Sequence, residues 1–163
     1  KGVVLNEPSI VSVEKKKKLA GLVDVFLPDF KYSDDGLATT LSKAKNYTQT
    51  AINAILEMTR LQPINVIENG LIKKGVIVRH LVLPSYIQNS LGVVEIIKER
   101  FPNVLLSLMS QYTPYFYKGD DKNLKRKVTT YEYNKVLKRV EQLALDGFCQ
   151  SRSSATKRYT PDF

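Results

Sequence analysis

The thirteen residues Gly21, Leu22, Val23, Asp24, Val25, Phe26, Leu27, Pro28, Asp29, Phe30, Lys31, Tyr32 and Ser33 decide how this chain folds. The run from Leu22 to Leu27 has the length and the Val and Phe content of a buried strand, and Pro28 removes an amide donor where the run turns polar. Side chains alternate across a strand, so Asp29 and Lys31 share a face with Val25 and Leu27, while Pro28 and Phe30 point the other way. An acid and a base therefore emerge together at a carboxyl-terminal strand edge, where α/β folds place ligand sites. The bland reading of the same spacing is a surface ion pair in a loop, worth little in stability.

Outward from this stretch, strand and helix signals alternate. A short β-branched run, Gly2 to Leu5, precedes Asn6 and Pro8, and a helix over Val13 to Leu19 is capped by Ser12 and stopped by Gly21. After the turn residues Ser33 to Gly36, helical turns are expected around Leu37 to Leu41. The stripe Ala51, Ile52, Ile55, Leu56 and Met58 then predicts a helix from Asn46 or Thr48 to Arg60. Glu68 to Gly75 reads as a polar loop and Val76 to Leu83 as a second strong strand, in which Ile77, Arg79, Leu81 and Leu83 share a face. A helix capped by Asn89 or Ser90 runs to Phe101, and Val104 to Met109 is a third strand that directs Leu105, Ser107, Met109 and Gln111 one way. Tyr112 to Lys127 is long, aromatic and basic, a candidate lid or partner surface. Thr129 and Glu132 form a capping box for a helix ending at Gly147, followed by a short strand at Phe148 to Gln150 and an extended tail from Ser151 to Phe163.

This order predicts one domain over residues 1–163, with a parallel sheet and right-handed crossovers. It is either an open α/β sheet or part of a (β/α) barrel with helices on its outer face. Its 163 residues fall short of the roughly 250 typical of a complete barrel, which makes a partial barrel the sharper option.

Composition narrows the chemistry. No apolar run approaches the roughly 20 residues of a membrane helix. The first residues show no export signal, and a single cysteine, Cys149, fits a reducing compartment, so the expectation is a soluble, cytoplasmic chain. One cysteine and one histidine cannot build a four-ligand zinc site or hold an iron-sulfur cluster, and His80 reads as a packed strand histidine. The net charge of +9 comes in modest clusters, Lys15 to Lys18 and Lys122 to Lys127, without a nucleic-acid motif. A basic solvated surface is the favoured reading over nucleic-acid binding. What remains is a polar ring of Asn6, Asp29, Lys31, Arg79 and Gln111 on an apolar interior, suited to a small ligand carrying a carboxylate, an amine and hydroxyls.

Four segments carry a resemblance: Leu22 to Tyr32, Gly75 to Pro84 with its string Arg-His-Leu-Val-Leu-Pro, Leu108 to Pro114, and Tyr159 to Phe163. In order and spread over nearly the whole chain, they resemble radical SAM proteins of the pyruvate formate-lyase activating enzyme-like type. That resemblance implies a partial (β/α) barrel in which a [4Fe-4S] cluster reductively cleaves S-adenosylmethionine, the resulting radical abstracting hydrogen from a glycyl-radical enzyme or another protein substrate. The family's cluster-binding CxxxCxxC loop has no counterpart here. The chain is therefore expected to correspond to the carboxyl-terminal half of such a protein, to hold no cluster and to be inactive alone. By resemblance, Asp29 and Lys31 match an Asp-x-Lys element reaching the ribose and carboxylate of S-adenosylmethionine, and Arg79 an arginine lining the same cavity. Asn6 matches a polar residue near the methionine amine, although Glu7, Pro8 and Ser9 replace the usual Thr-Ser-Gly after it. Met109 and Gln111 fall on the adenine side.

Two other classes fit the residues. Lys31 could be a Schiff-base lysine of an aldolase-like barrel, with Asp29 arguing against it. The chain could also be a non-enzymatic basic binding module. A half barrel would leave two sheet edges unpaired, which predicts self-association.

Overall fold

The structure, a computed structural model, describes residues 3–5 and 21–149. The expected helix at Val13 to Leu19, Asn6 and the tail from Ser151 lie outside the described residues. Described in chain order are β1 (Val4–Leu5), β2 (Val25–Phe26), α1 (Asp35–Ser42), α2 (Tyr47–Leu61), β3 (Val66–Glu68), β4 (Leu71–Leu81), α3 (Ile87–Arg100), β5 (Leu105–Met109), α4 (Thr130–Gln142) and β6 (Gly147–Cys149). Two 3-10 turns, Pro114–Phe116 and Lys122–Lys125, interrupt the segment between β5 and α4.

The strands lie in the order β1-β2-β4-β5-β6, and every neighbouring pair along this path is parallel. Strand order thus follows chain order without a reversal. Right-handed crossovers that always step the same way leave their helices on the same side. The packing agrees: Phe26, Val76, Val78, Leu106 and Leu108 form one cluster with Ala51, Ile55 and Met58 of α2, Val93 and Ile97 of α3, and Tyr133, Val136 and Val140 of α4. The opposite face carries a smaller cluster of Val25, Ile77 and Leu105, flanked by Leu27, Ile72 and Phe148. The result is an α/β protein with a mostly parallel sheet and one helical layer among its described residues.

Side-chain caps mark the starts of α1 and α4. Asp34 caps α1, accepting from the Leu37 amide at 2.9 Å. Thr129 and Glu132 make the expected capping box on α4. Four expectations need correction. Residues 66–74, expected to include a polar loop, form an antiparallel β-hairpin about Asn69 and Gly70, whose φ values of 52° and 75° are those of a type I′ turn. β4 consequently starts at Leu71 rather than Val76. Asn89 and Ser90 do not cap α3, which begins at Ile87, because both side chains are buried and bonded elsewhere. Gly147 does not stop α4, which ends at Gln142; it opens β6 with φ 149°, where a Cβ would meet the Leu106 carbonyl oxygen at 1.9 Å.

Candidate functional site

The site forms where β2 gives out. Beyond Phe26 the pairing with β4 continues through the Arg79 amide, which donates to the Pro28 carbonyl at 2.8 Å, and the Phe30 amide, which donates to the Arg79 carbonyl at 2.9 Å. This bridge sets Asp29 beside Arg79. Strand alternation then sends Phe30 into the helix-covered core, where it is fully buried, and leaves Asp29 on the opposite face. The Arg79 Nε and Nη2 atoms lie 2.8 and 2.7 Å from Asp29 Oδ1. Lys31 Nζ stands 4.0 Å from Asp29 Oδ2. Leu81 and Met109, paired across β4 and β5, complete the lining of a cavity of about 240 Å³.

The strand end is held by the helices behind it. Tyr47 of α2 accepts from the Lys31 amide at 2.8 Å. Asn89 of α3 donates to the Lys31 carbonyl at 2.9 Å and accepts from the Ser33 amide at 2.8 Å. His80, the neighbour of Arg79 on the opposite face, is fully buried with its ring nitrogens 2.8 Å from the Phe30 carbonyl and 2.8 Å from Ser90 Oγ. Its burial pushes the imidazole pKa down to about 4, against the opposing pull of the Phe30 carbonyl, so the ring is neutral. A neutral ring with a carbonyl on one side and a hydroxyl on the other donates from Nδ1 and accepts at Nε2. His80 is thus a fully bonded core residue that fixes the Phe30 backbone, as its strand position implied.

Asp29 and Arg79 have side chains 23% and 25% exposed, so the pair faces the cavity without being sealed in the core. Lys31, 55% exposed, lacks the apolar enclosure that activates Schiff-base lysines. The geometry presents a carboxylate, a guanidinium and an ammonium beside two apolar side chains. It can bind a small ligand bearing both charges or hydroxyls; it contains no nucleophile-base pair.

Of the residues singled out in the sequence, Asp29, Lys31, Arg79 and Met109 converge here. Gln111, two residues past the end of β5, is exposed and does not line the cavity. Asn6 lies outside the described residues. Leu81 joins the lining, as its shared parity with Arg79 allows. The supporting roles of Tyr47 and Asn89 carried no signal in the sequence beyond helical position.

A second polar assembly lies around Glu132, at the start of α4. Arg126 grips its carboxylate with two nitrogens at 2.8 and 2.6 Å and also donates to Ser85 Oγ at 2.8 Å. The Ser85 amide donates to Glu132 Oε1 at 2.7 Å, and the Thr129 amide to Oε2 at 2.9 Å. These donors, Arg126 foremost, hold the Glu132 carboxyl far below the usual carboxylate range despite its burial. Beside it Tyr86 donates to Asp121, which pushes the phenol up to about 12 and holds the Asp121 carboxyl below its usual range. Together these bonds clamp the segment after β5 to the turn after β4.

Among the described residues no group of three or more His, Cys, Asp or Glu side chains could hold a metal ion. Cys149 is buried, with its thiol pushed up to about 11 by burial and by the Glu141 charge. A wider hollow of about 420 Å³ at the opposite strand ends is lined by Pro63, Ile64, Asn65, Pro102 to Leu105 and Asp146. It gathers only one ionisable group. No described helix is long and apolar enough to cross a membrane.

Fold and site thus define an α/β protein with a charge-lined cavity at the carboxyl ends of parallel strands. No family model matches the chain. It is 32% identical over 146 residues to an uncharacterized protein of Methanocaldococcus jannaschii, the aligned stretch being 88% of this chain and 39% of that protein. The chain therefore spans well under half the length of this relative.

Proposed function

We propose that this chain is the S-adenosylmethionine-binding segment of a radical SAM activating enzyme of the pyruvate formate-lyase activating enzyme-like type. The observation that carries the reading is the convergence of Asp29, Lys31, Arg79 and Met109 on one cavity. These residues suit the ligand: a carboxylate for ribose hydroxyls or an ammonium, cations for a carboxylate, and apolar contacts for an adenine edge. At about 240 Å³ the cavity is smaller than the roughly 300 Å³ lower limit of whole-ligand pockets, which suits part of a site completed by other residues.

Strand order without reversal and helices on one face are the arrangement of a (β/α) barrel wall, and they support the partial-barrel expectation over a doubly wound sheet. Within this reading a [4Fe-4S] cluster would have to be held by residues outside this chain, in a longer protein, and would supply reducing power there. The donor set here does not fit a [4Fe-4S] cluster, which takes three or four thiolates, because the sequence has one cysteine. The residues of this chain bind and orient: Tyr47 and Asn89 fix the backbone around Lys31, and Arg79 steadies Asp29. The reaction's recipient, a glycyl-radical enzyme or another protein, approaches the same strand ends.

The test is titration of the ¹⁵N-labelled chain with S-adenosylmethionine. Amide shifts are expected at Asp29, Lys31, Arg79 and Met109, and they should vanish in Arg79→Met. Shifts confined to other residues, or none up to millimolar ligand, would refute the assignment.

A further inference from the structure

The segment between β5 and α4 has the length of a loose loop, yet its fold is pinned by its own side chains. Tyr112 donates to the Leu124 carbonyl at 2.9 Å, the Asp121 amide donates to the Tyr117 hydroxyl at 3.3 Å, and Leu124 and Val128 are buried beneath. The Tyr86–Asp121 and Arg126–Ser85 bonds tie it to the neighbouring turn, and the Arg126–Glu132 pair ties it to the start of α4. What such a platform displays is therefore held in place.

It displays cations and aromatic rings. Lys118, Lys122, Lys125 and Lys127 are exposed, and none makes an ion pair with a described residue. The nearby carboxylates are engaged: Glu132 by Arg126, Asp121 by Tyr86 and the Asn123 amide, which leaves Asp120. Tyr115 is 80% exposed and Tyr131 72%, more than any other large apolar side chain in the described residues. A tyrosine that open makes little use of its ring in folding, whereas rings of this kind serve as anchors at protein interfaces.

We propose that this platform is a docking surface for an acidic polypeptide segment of a partner protein, Tyr115 and Tyr131 seating in apolar contacts and the lysines steering and rimming the contact. The inference does not depend on the cofactor reading, since it concerns binding alone. A polypeptide fits better than a nucleic acid. Arginine, which grips phosphate with two nitrogens and stacks on bases, occurs here only as Arg126, and its guanidinium is committed to Glu132 and Ser85. Asp120 lies among the lysines, where a closely spaced phosphate backbone would meet repulsion but scattered carboxylates would not. The platform begins just past the carboxyl end of β5, the strand whose last residue, Met109, lines the cavity.

Fluorescence anisotropy would decide it, using a labelled peptide rich in Glu and Asp with Leu and Phe between them, and a labelled oligouridylate of equal length. The peptide should bind the full chain about tenfold more tightly than it binds the variant carrying K118Q, K122Q, K125Q and K127Q, with a salt dependence that the variant loses. At constant charge Tyr115→Ala should weaken it about fivefold. Circular dichroism verifies the fold of each variant, whose altered residues lie outside the bonds that pin the segment. No peptide binding, binding indifferent to these substitutions, or tighter binding of the oligouridylate would overturn the proposal.

Discussion

The two faces of the sheet are built from alternate residues of the same strands, yet they do different work. On β4, Val76, Val78 and His80 are buried under the helices, while Arg79 and Leu81 on the other face stay partly exposed. On β5 the same division separates Leu106 and Leu108 from Ser107 and Met109. On the covered face even the fully buried His80 has both ring nitrogens bonded. The open face ends in charges whose outer sides are turned to solvent. A parallel sheet is usually buried on both sides, so a half-open face ending in ionic groups is where this molecule can afford a ligand.

The largest expected effect breaks that comparison at adjacent positions. Leu108→Ala removes a fully buried side chain from the helix-covered core and should cost about 3 kcal/mol. Met109→Ala, one residue on and facing the cavity, should cost about 1 kcal/mol because its side chain is already partly hydrated. Urea denaturation measures both. Equal losses would mean that the two faces are equally packed.

This parity was readable in advance. Period-two alternation grouped Asp29 with Lys31 and sent Phe30 the other way, and the structure keeps that division because a one-residue slip would drive Phe30 into the open and the charged groups into the core. The capping box on α4 was equally plain, because it depends on residues three apart. The signals that failed were those in which a tertiary partner outbids a local one. Asn89 and Ser90 have cap chemistry, but Asn89 is taken by Lys31 and Ser33 and Ser90 by His80. Gly147 has stop chemistry, yet the close approach of Leu106 is what requires it. The β3–β4 hairpin is a different failure: Asn69-Gly70 between Ile67 and Leu71 is a strong hairpin signal, obscured by the polar residues around it. The clamp of Arg126 and Ser85 on Glu132 joins residues up to 47 positions apart, a separation at which pattern reading has no purchase.

His80 supplies the next test, through pH. Its folded pKa of about 4 lies below the ordinary 6.5, so between these values the unfolded chain binds a proton that the native state does not. Stability is therefore complete above pH 6.5 and falls as pH drops toward 4. The expected loss is about 2 kcal/mol between pH 7.5 and 5. Because the sequence has one histidine, this window belongs to His80, whereas Glu132, also depressed, acts below the ordinary carboxylate range. Urea midpoints measured across that window should slope in the wild type and be flat in His80→Gln. A slope that survives the substitution would remove the buried neutral histidine as its source.

The smallest effect is the one that sharpens the contrast most. If Asp29 and Arg79 belong to the open face as ligand-binding groups, their mutual bond should contribute little to folding even though its geometry is good. Each side chain is about a quarter exposed, so water screens the pair and solvates whichever partner is left alone. In a double-mutant cycle of Asp29→Asn and Arg79→Met, the coupling energy should come out below about 1 kcal/mol. A pair buried as His80 is would give several times more, because removing one partner would strand a charge in the core. A coupling of about 3 kcal/mol would therefore make the ion pair a structural staple of the strand end. A small one leaves both groups free to exchange each other for a ligand at little cost to the fold.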